Sequence, residues 1–585
     1  MAGGPIPVAL LSLLSISSFI AGAVYTGDAQ SSTASPAGPP SAEIKPIVEI
    51  YHGTRVTDNY RWLEDGNSPA TQKWVEQEMV YTRSLLDPLP GRDAVRKRLT
   101  ELLSIGSITP PMLAGRYYFY TKREGMQNQP VLYVRDSPTG SDRVLVNANQ
   151  LAADGTIALD WFQPSDNGKY VAYGTSQSGS EMSTLHIIET KTGTILPDVI
   201  ERTRAASIAW LHDNAGFYYT RYPKKGDVPA GQEMYNRHVF FHELGADPDA
   251  EDSPIFGEGR DPEDWPSVFL SNDGRWLLIH VSQGWTKSEL FLMDTHGKNP
   301  PSRLTTGKNF NYGAEVFDGK VYITTNEDAP RYRVLVTEAG NFDREAWKEI
   351  IPQSDAVLQN VSVYGGKLLA QYEQNATSEL KLFDLDGKKD RDVALPGLGT
   401  VFGVGGRWNR NEFFFGYQSF TVPPTIYRNT LNPEAPAKGP NISWPDSTVW
   451  ANVDAPSIDS SAYVALQEWF KSKDGTRVPM FVVHKKGLQK TGHNPTLLTA
   501  YGGFNVSLTP SFSRTAYLWM EHGGVFAVAN LRGGAEFGED WHRAGMLDTK
   551  QNVFDDMIAA AEHLISEKYK DKIISPSRAD RMAGF

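Results

Sequence analysis

A Tyr-Gly-Gly-Phe sequence, Tyr501–Phe504, follows directly on the short apolar run Thr496–Ala500. A tight Gly-Gly turn at the carboxyl end of a strand exposes backbone N–H groups, and the Tyr501 phenol could donate a hydrogen bond beside them. Such donors stabilise the negative charge that develops on a substrate oxygen during acyl transfer. The alternative is a strand-ending turn whose tyrosine only packs, and the tetrapeptide alone leaves both interpretations open.

A second glycine-rich segment, Leu531–Gly538, follows the next apolar run, Val525–Ala529. It has neither the G-x-G-x-x-G spacing nor the lysine of a phosphate-binding loop. We therefore predict a tightly folded loop with a contact between Arg532 and Glu536, and a substrate-facing role stays possible.

Composition excludes several classes of protein. The 585 residues include no cysteine, so disulfides, zinc–thiolate sites, iron–sulfur clusters and a cysteine nucleophile are impossible. The formal charge of −12 gives no electrostatic reason to expect a nucleic-acid partner. No H-E-x-x-H or comparable carboxylate–histidine cluster occurs, so a metallohydrolase is poorly supported, and we predict no metal site and no cofactor.

The N-terminal segment, residues 1–30, resembles an export signal because Val8–Ile20 is apolar and Ala21-Gly22-Ala23 offers a small-x-small cleavage site. An uncleaved membrane anchor is the alternative, because the segment before the apolar run lacks a basic residue. The Ser-, Ala-, Pro- and Gly-rich composition of residues 31–43 predicts a disordered linker. The expected location is therefore exported, either periplasmic or extracellular, with no membrane contact unless the segment is retained.

Residues 105–455 alternate short aromatic or β-branched runs with turn dipeptides. Asn-Gly and Asp-Gly suit hairpin turns because both positions tolerate positive φ. Two phrases, Ser165–Tyr170 and Ser271–Trp276, are interpreted as one element used twice. Recurrence at roughly 40 to 60 residues predicts about seven four-stranded propeller blades, with a pair of β-sandwiches as the alternative. The predicted strands are Tyr170–Tyr173, Leu185–Ile188, Gly216–Tyr219, Trp276–Val281, Leu290–Met293, Val321–Thr324, Lys367–Ala370, Leu380–Phe383 and Glu412–Gly416, and the turn pairs are Asn167-Gly168, Asp273-Gly274, Asp318-Gly319, Gly365-Gly366, Asp386-Gly387 and Gly405-Gly406.

Residues 456–585 change in character. Phe481–His484, Thr496–Ala500 and Val525–Ala529 are typical of buried parallel strands, and Asn552–Lys568 has the period of an amphipathic helix. This order predicts the start of an α/β domain. Residues 44–104, with helical stretches around 72–86 and 92–103, would be an N-terminal part of that domain, preceding an inserted propeller.

Collinear motifs from Ile44 onward resemble the prolyl oligopeptidase family of serine peptidases. The motifs are Tyr51–Tyr60 with Trp62–Asp65, Asp154–Leu159, Ala172–Ser180, Ser419–Pro423, Lys473–Met480 with Val483–Gly487, Tyr501–Asn505, Ala529–Gly534 and Asn552–Asp556. The resemblance implies a seven-bladed β-propeller inserted into an α/β-hydrolase domain. It also implies a monomeric endopeptidase that cleaves short peptides after proline with a Ser–His–Asp triad. Tyr501 matches the family's oxyanion-stabilising tyrosine, and Phe504 matches an aromatic residue that lines the proline pocket.

The chain departs from this pattern at its end. A G-x-S-x-G nucleophile elbow should follow the next strand, and the triad order is Ser, Asp, His. No such elbow occurs, so we expect all three triad residues beyond Phe585, an incomplete hydrolase domain over 456–585, and no activity in this fragment. The alternative is a catalytically dead propeller protein that binds peptides or a partner. His542 and His563 are expected to have solvent or packing roles, and Asp555 and Asp556 to cap a helix.

Overall fold

The computed structural model describes residues 38–152, 155–305, 307–431, 447–570 and 577–579. These residues fall into two units, one ending at Glu101 and the other beginning at Leu102. The predicted export signal or anchor (1–30) and residues 31–37 of the predicted linker lie outside the described ranges. Within those ranges, no helix is both long and apolar enough to cross a membrane.

The first unit contains one hairpin and most of two helices. Strands β1 (Ile47–Tyr51) and β2 (Thr54–Asp58) pair through a two-residue turn whose residues, His52 and Gly53, both have positive φ. A short 3₁₀ helix (Arg61–Glu64), α1 (Pro69–Leu86) and α2 (Arg92–Leu103) follow. The predicted helical stretches are confirmed, whereas the hairpin was not predicted. The assignment of residues 44–104 to the hydrolase domain stays a prediction.

Seven antiparallel sheets follow one another along the second unit, and they form the blades of a β-propeller. The first has five strands, because β4 pairs with β5 beside the path β3-β5-β6-β7; each of the others contains four consecutive strands. Short 3₁₀ helices occur at Ala148–Gln150 and Arg344–Ala346. The strands of blades 1 to 7, in order, are β3 (Ser107–Ile108), β4 (Met112–Ala114), β5 (Tyr117–Arg123), β6 (Val131–Arg135) and β7 (Arg143–Asn147); β8 (Ile157–Pro164), β9 (Tyr170–Gln177), β10 (Thr184–Glu189) and β11 (Ile195–Ile200); β12 (Ile208–Trp210), β13 (Gly216–Arg221), β14 (His238–Glu243) and β15 (Ser253–Phe256); β16 (Trp265–Leu270), β17 (Trp276–Gln283), β18 (Lys287–Asp294) and β19 (Ser302–Arg303); β20 (Tyr312–Phe317), β21 (Lys320–Thr325), β22 (Arg333–Glu338) and β23 (Lys348–Ile351); β24 (Val357–Tyr364), β25 (Lys367–Gln374), β26 (Thr377–Phe383) and β27 (Lys389–Val393); and β28 (Thr400–Gly406), β29 (Glu412–Gln418), β30 (Thr425–Thr430) and β31 (Ser447–Asn452).

The two repeated phrases form the same turn, as predicted. In blade 2, the Ser165 hydroxyl accepts a hydrogen bond from the Tyr170 backbone N–H, and Asn167 Oδ1 accepts one from Lys169. In blade 4, Ser271 and Asp273 hold the corresponding backbone groups in the same way. Each turn joins the first and second strands of its blade, so the repeat in sequence reflects a repeat in structure.

Gly405 and Gly406 do not form a turn, contrary to the prediction. They end strand β28, which shifts register between Phe402 and Gly405. A Cβ atom on Gly405 would lie 2.5 Å from the Pro111 carbonyl oxygen, and one on Gly406 would lie 2.7 Å from the Tyr364 ring. The absence of side chains at Gly405 and Gly406 therefore lets the backbone of blade 7 approach blades 1 and 6 closely. Glycine in a strand often marks such a close approach rather than a turn.

The second unit ends in a five-stranded mixed sheet with strand order β32-β33-β35-β34-β36. Its strands and helices are β32 (Tyr463–Lys471), β33 (Arg477–Lys485), β34 (Thr496–Ala500), α3 (Arg514–Glu521), β35 (Val525–Ala529), α4 (Glu539–Arg543), α5 (Gln551–Ser566) and β36 (Ser577–Ala579), with 3₁₀ helices at Ser460–Ala462 and Leu547–Thr549. Val553, Ala560 and Leu564 of α5 pack in one buried cluster with the sheet residues Val482 and Ala527. This is part of an α/β-hydrolase fold, and the predicted amphipathic helix is confirmed.

One predicted strand orientation is wrong. Strand β33, which contains Phe481–His484, runs antiparallel to both of its neighbours, β32 and β35. The reason is the tight turn at Lys473–Thr476, where the Ser472 N–H donates to the Thr476 carbonyl and Asp474 accepts from the Thr476 N–H. A tight turn can join only antiparallel strands. The other two predicted strands, β34 and β35, are parallel.

Candidate active site

Tyr501 lies where the carboxyl ends of three parallel strands meet. It follows Ala500, the last residue of β34, which is paired in register with Ala529 of β35 and Ala579 of β36. Open α/β sheets bind their ligands at this edge. The prediction that Tyr501–Phe504 forms a turn at the end of a strand is confirmed, and the neighbouring strands are β35 and β36.

The turn is held by glycines and by a second loop. Gly502 has φ +64°, and a Cβ atom on it would lie 2.6 Å from Val553 Cγ1 and 2.9 Å from Leu531 Cβ. Phe504 and Asn505 also have positive φ, +52° and +56°, which is uncommon for residues with a side chain. The Asn505 N–H donates to the Gly533 carbonyl at 3.1 Å, so the loop after β35 supports this strained backbone.

The turn presents aromatic faces to its surroundings. The ring centroids of Tyr501 and Phe504 are 6.5 Å apart, and the Phe504 ring is 47% exposed. Trp285, in the β17–β18 turn of blade 4, has its ring centroid 5.9 Å from that of Phe504 and is itself exposed. Trp285 and Phe504 therefore form an open apolar surface with contributions from both the propeller and the hydrolase domain.

Turns between the second and third strands of several blades contact the hydrolase domain. Besides Trp285, the Pro330 carbonyl accepts a hydrogen bond from the Glu539 N–H at 2.8 Å. The Phe512 N–H donates to the Gln418 side chain at 3.3 Å. The site edge therefore faces this end of the propeller.

A lysine adds positive charge beside the turn. Lys550 Nζ donates to the Gly502 carbonyl at 3.0 Å, and burial lowers the pKa of this lysine. A half-buried ammonium group next to Tyr501 favours negative charge at this edge. Sequence reasoning did not identify Lys550, because nothing in its neighbourhood along the chain indicates that it folds back onto the turn.

Arg532 does not contact Glu536, contrary to the prediction. Its guanidinium donates to Asp556 Oδ1 at 2.6 Å and also binds Asp474 in the β32–β33 turn. Asp556 is completely buried and also accepts from the Arg532 backbone N–H at 3.0 Å. Because α5 begins at Gln551, Asp556 lies too far along the helix to cap it and instead serves as the buried counter-ion of Arg532.

The remaining polar candidates have structural partners. Asp555, also expected to cap the helix, accepts from the Gln551 side chain at 3.0 Å one turn earlier. His563 contacts Glu468 of β32 at 2.9 Å, and buried His542 lies 3.4 Å from Glu539. The geometry thus gives the two histidines packing roles and leaves Tyr501 and Phe504 as the site candidates from sequence.

Comparisons with known proteins agree with this architecture. The family profile "Prolyl oligopeptidase, N-terminal beta-propeller domain" matches residues 39–437, and the profile "Prolyl oligopeptidase family" matches residues 510–573. A prolyl endopeptidase of Elizabethkingia meningoseptica is 34% identical over 529 residues, covering 90% of this chain and 72% of the relative. Prolyl oligopeptidase A of Galerina marginata is 32% identical, with 91% and 76% covered.

Solved structures give the same result. A prolyl endopeptidase structure superimposes with a TM-score of 0.83 at 36% identity, covering 91% of this chain and 77% of the other. Prolyl oligopeptidase B of Galerina marginata, bound to a 25mer macrocyclization substrate, superimposes with a TM-score of 0.81 at 26% identity and the same two coverages. The chain, with its seven-bladed propeller and partial α/β-hydrolase domain, therefore belongs to the prolyl oligopeptidase family.

Proposed function

We propose that this chain forms the propeller and the first part of the hydrolase domain of a serine endopeptidase that cleaves short peptides after proline. The observation that carries the proposal is the position of Tyr501 and Phe504 together at the carboxyl edge of the parallel strands, with Phe504 beside Trp285 of the propeller. A donor and an apolar surface are both required where a prolyl bond is to be polarised.

Tyr501 and Phe504 have distinct proposed roles. The Tyr501 hydroxyl donates to the oxygen of the scissile carbonyl as negative charge develops on it, an interaction whose loss typically costs about 10²–10³ in rate. The exposed face of Phe504 packs against the pyrrolidine ring of proline, which has no N–H to satisfy. Lys550 adds to the positive potential at the same edge.

Residues 1–585 taken by themselves are proposed to bind peptide without hydrolysing it, because they contain no G-x-S-x-G elbow. In an α/β-hydrolase the elbow follows a parallel strand, and β36 is the strand adjacent to Tyr501's strand. The second candidate function is a catalytically inactive propeller protein that binds peptides or a partner. The open Trp285–Phe504 surface would serve either function.

The proposed setting is an exported, periplasmic or extracellular monomer whose partner is a short peptide, and no cofactor is assigned. Support for export comes from the apolar N-terminal segment alone. Mass spectrometry of the protein from the culture medium, the periplasm and the membrane fraction tests this: cleavage after Ala23 in soluble exported protein supports a signal peptide, whereas an intact N-terminus in the membrane fraction supports an anchor.

The test measures binding and hydrolysis separately. Calorimetric titration of residues 1–585 with a blocked Gly-Pro peptide should show binding, and the matched Gly-Ala peptide should bind more weakly. Phe504→Ala should remove this preference, whereas Met126→Ala, which removes an exposed apolar side chain from the β5–β6 turn of blade 1, should not. Equal binding of the two peptides contradicts the proline-pocket role. Labelling of a serine by a fluorophosphonate contradicts the proposed absence of hydrolysis.

A further inference from the structure

Glu536 ties together the two loops that form the site edge. Its Oε1 accepts hydrogen bonds from the Leu508 backbone N–H at 3.0 Å and from Asn530 Nδ2 at 3.2 Å. The same amide group of Asn530 donates to the Leu508 carbonyl at 2.7 Å. The segment Tyr501–Leu508, here called the tyrosine loop, is therefore fastened at its far end to the loop after β35.

Glu373 approaches the tyrosine loop from the propeller. It lies on β25 of blade 6 and is only 5% exposed. Its carboxyl lies close to the Ser507 hydroxyl of the tyrosine loop, which is itself buried without a hydrogen-bond partner of good geometry, and Gln359 Nε2 of β24 lies 3.4 Å from its Oε2. The propeller and hydrolase domains thus each place one carboxyl group against the same loop.

Neither carboxyl has a positively charged partner in the part of the chain that the structure describes. The groups close to them are the side chains of Gln359, Ser507 and Asn530 and the Leu508 N–H, and Glu536 lies near enough for its charge to act on Glu373. One oxygen of each, Oε1 of Glu373 and Oε2 of Glu536, is buried without a hydrogen-bond partner. Burying two like charges in this way is unfavourable unless a proton neutralises at least one of them.

The pKa values agree with this geometry. Burial, followed by the charge of Glu536, raises the pKa of Glu373 to about 8. Burial raises the pKa of Glu536 to about 7. Burial is the main cause for both groups, which is what two enclosed carboxyls without a cationic partner should show.

We propose that Glu373 and Glu536 form a protonated carboxyl pair that joins the propeller to the tyrosine loop and so positions Tyr501 and Phe504. They are positioning residues, since they act on the substrate only through the loop. The consequence for catalysis rests on the proposed function, but the protonated pair itself does not.

The direction of the pH dependence follows from proton linkage. The closed loop holds a proton that an opened, solvated carboxyl with a pKa near 4.5 would release. Between about pH 5 and pH 7, the equilibrium constant for opening the loop therefore rises with pH. Each proton released on opening contributes a rise of about tenfold per pH unit. Above about pH 8 the dependence levels off, because both groups are then ionised in either state.

The experiment is hydrogen–deuterium exchange of the tyrosine loop from pH 5 to pH 9, corrected for intrinsic exchange rates, in residues 1–585. Wild type should show the rise in opening, and Glu373→Gln and Glu536→Gln should each flatten it. Glutamine keeps the shape and the Oε1 acceptor, so the loop stays attached in both variants. Glu289→Gln is the control, because Glu289 is equally buried but is paired with Arg260 and Arg303.

Infrared spectroscopy supplies a second measurement. A band from a buried protonated carboxylic acid should be present at pH 6 in wild type and in Glu289→Gln, and should weaken in Glu373→Gln and Glu536→Gln. A flat pH profile in wild type, or a band that persists unchanged in both variants, would overturn the proposal. Neither measurement depends on peptide binding or hydrolysis, so failure here is distinct from failure of the proposed function.

Discussion

The Tyr118 hydroxyl donates a 2.6 Å hydrogen bond to Glu412, a residue 294 positions further along the chain. Tyr118 belongs to β5 in the first blade and Glu412 to β29 in the last, and within the described residues the two blades share no strand. Arg428 binds the other oxygen of Glu412 at 2.6 Å, and Trp450 of β31 packs edge-on against Tyr120, with ring centroids 5.2 Å apart. Side chains therefore close the propeller ring, in place of strand exchange.

Removal of the Tyr118 hydroxyl should weaken this closure. Tyr118→Phe leaves the buried Glu412 carboxylate without one of its donors, so we expect a loss of about 1–3 kcal/mol in the free energy of unfolding, measured in urea. Tyr133→Phe on the neighbouring strand β6 is the matched control and should have little effect. Equal stability of Tyr118→Phe and wild type would show that the hydrogen bond contributes nothing to closure.

The Arg532–Asp556 pair should be far more sensitive to mutation than the Arg532–Asp474 pair. Asp556 is fully buried, whereas the Asp474 side chain is 47% exposed. Asp556→Asn leaves the buried guanidinium without its buried counter-ion, with only the half-exposed Asp474 remaining, and should cost about 3–5 kcal/mol. Asp474→Asn should cost about 0–1 kcal/mol, since water replaces much of the interaction. Chemical denaturation of the two variants compares them, and similar losses would contradict the assignment of Asp556 as the principal partner.

His212 should give the propeller a pH-dependent contribution to stability. Its Nδ1 lies 2.6 Å from Asp166, and this hydrogen bond raises the pKa of His212, although burial and the charge of nearby Arg407 act in the opposite direction. The contribution is complete below the ordinary value of 6.5 and is lost as the pH rises through the raised pKa of the folded state.

The comparison that isolates His212 is wild type against His212→Gln. Their difference in melting temperature should be largest at pH 6 and should shrink by pH 8.5. His186 is a control of opposite sign, because burial lowers its pKa. The difference in melting temperature between wild type and His186→Gln should therefore not decrease as the pH rises from 6 to 8.5. A constant difference for His212→Gln across the range would refute the protonated His212–Asp166 contact.

Gly502 should tolerate alanine less well than other glycines with positive φ. Gly502→Ala combines a left-handed backbone with close approach to Val553 and Leu531. Gly523→Ala has φ +83° but no atom within 4 Å of the new methyl group, so it measures the backbone strain alone. We expect the Gly502 variant to lose about 1–3 kcal/mol more in thermal unfolding. Equal losses would show that the tyrosine loop can move away from the added methyl group.

The sequence by itself determined the propeller and some of its strands, among them the second strands of blades 2 to 7. Its signals are local: alternation along a strand, Asn-Gly and Asp-Gly turns, and the serine phrases at Ser165 and Ser271. Such signals specify hairpins, because the turn and both strands lie within a few residues of one another. The orientation of β33 was predicted wrongly because the tight turn at Lys473–Thr476, a local signal, was not used. The role of Gly405 was predicted wrongly because it depends on the close approach of Pro111, which is distant along the chain.

The candidate site divides in the same way. Tyr501 and Phe504 could be proposed from sequence because a strand, a Gly-Gly turn and a family motif coincide there. Only the tertiary structure brought Trp285, Lys550 and Glu373 to that turn and gave Arg532 its true partner, Asp556. These contacts join segments that are distant along the chain: Arg532 and Asp556 are 24 residues apart, Lys550 and Gly502 are 48 residues apart, and Trp285 and Phe504 are further apart still. The packing of the whole fold decides which polar groups from such distant segments are buried together. A local sequence pattern carries no information about these partners.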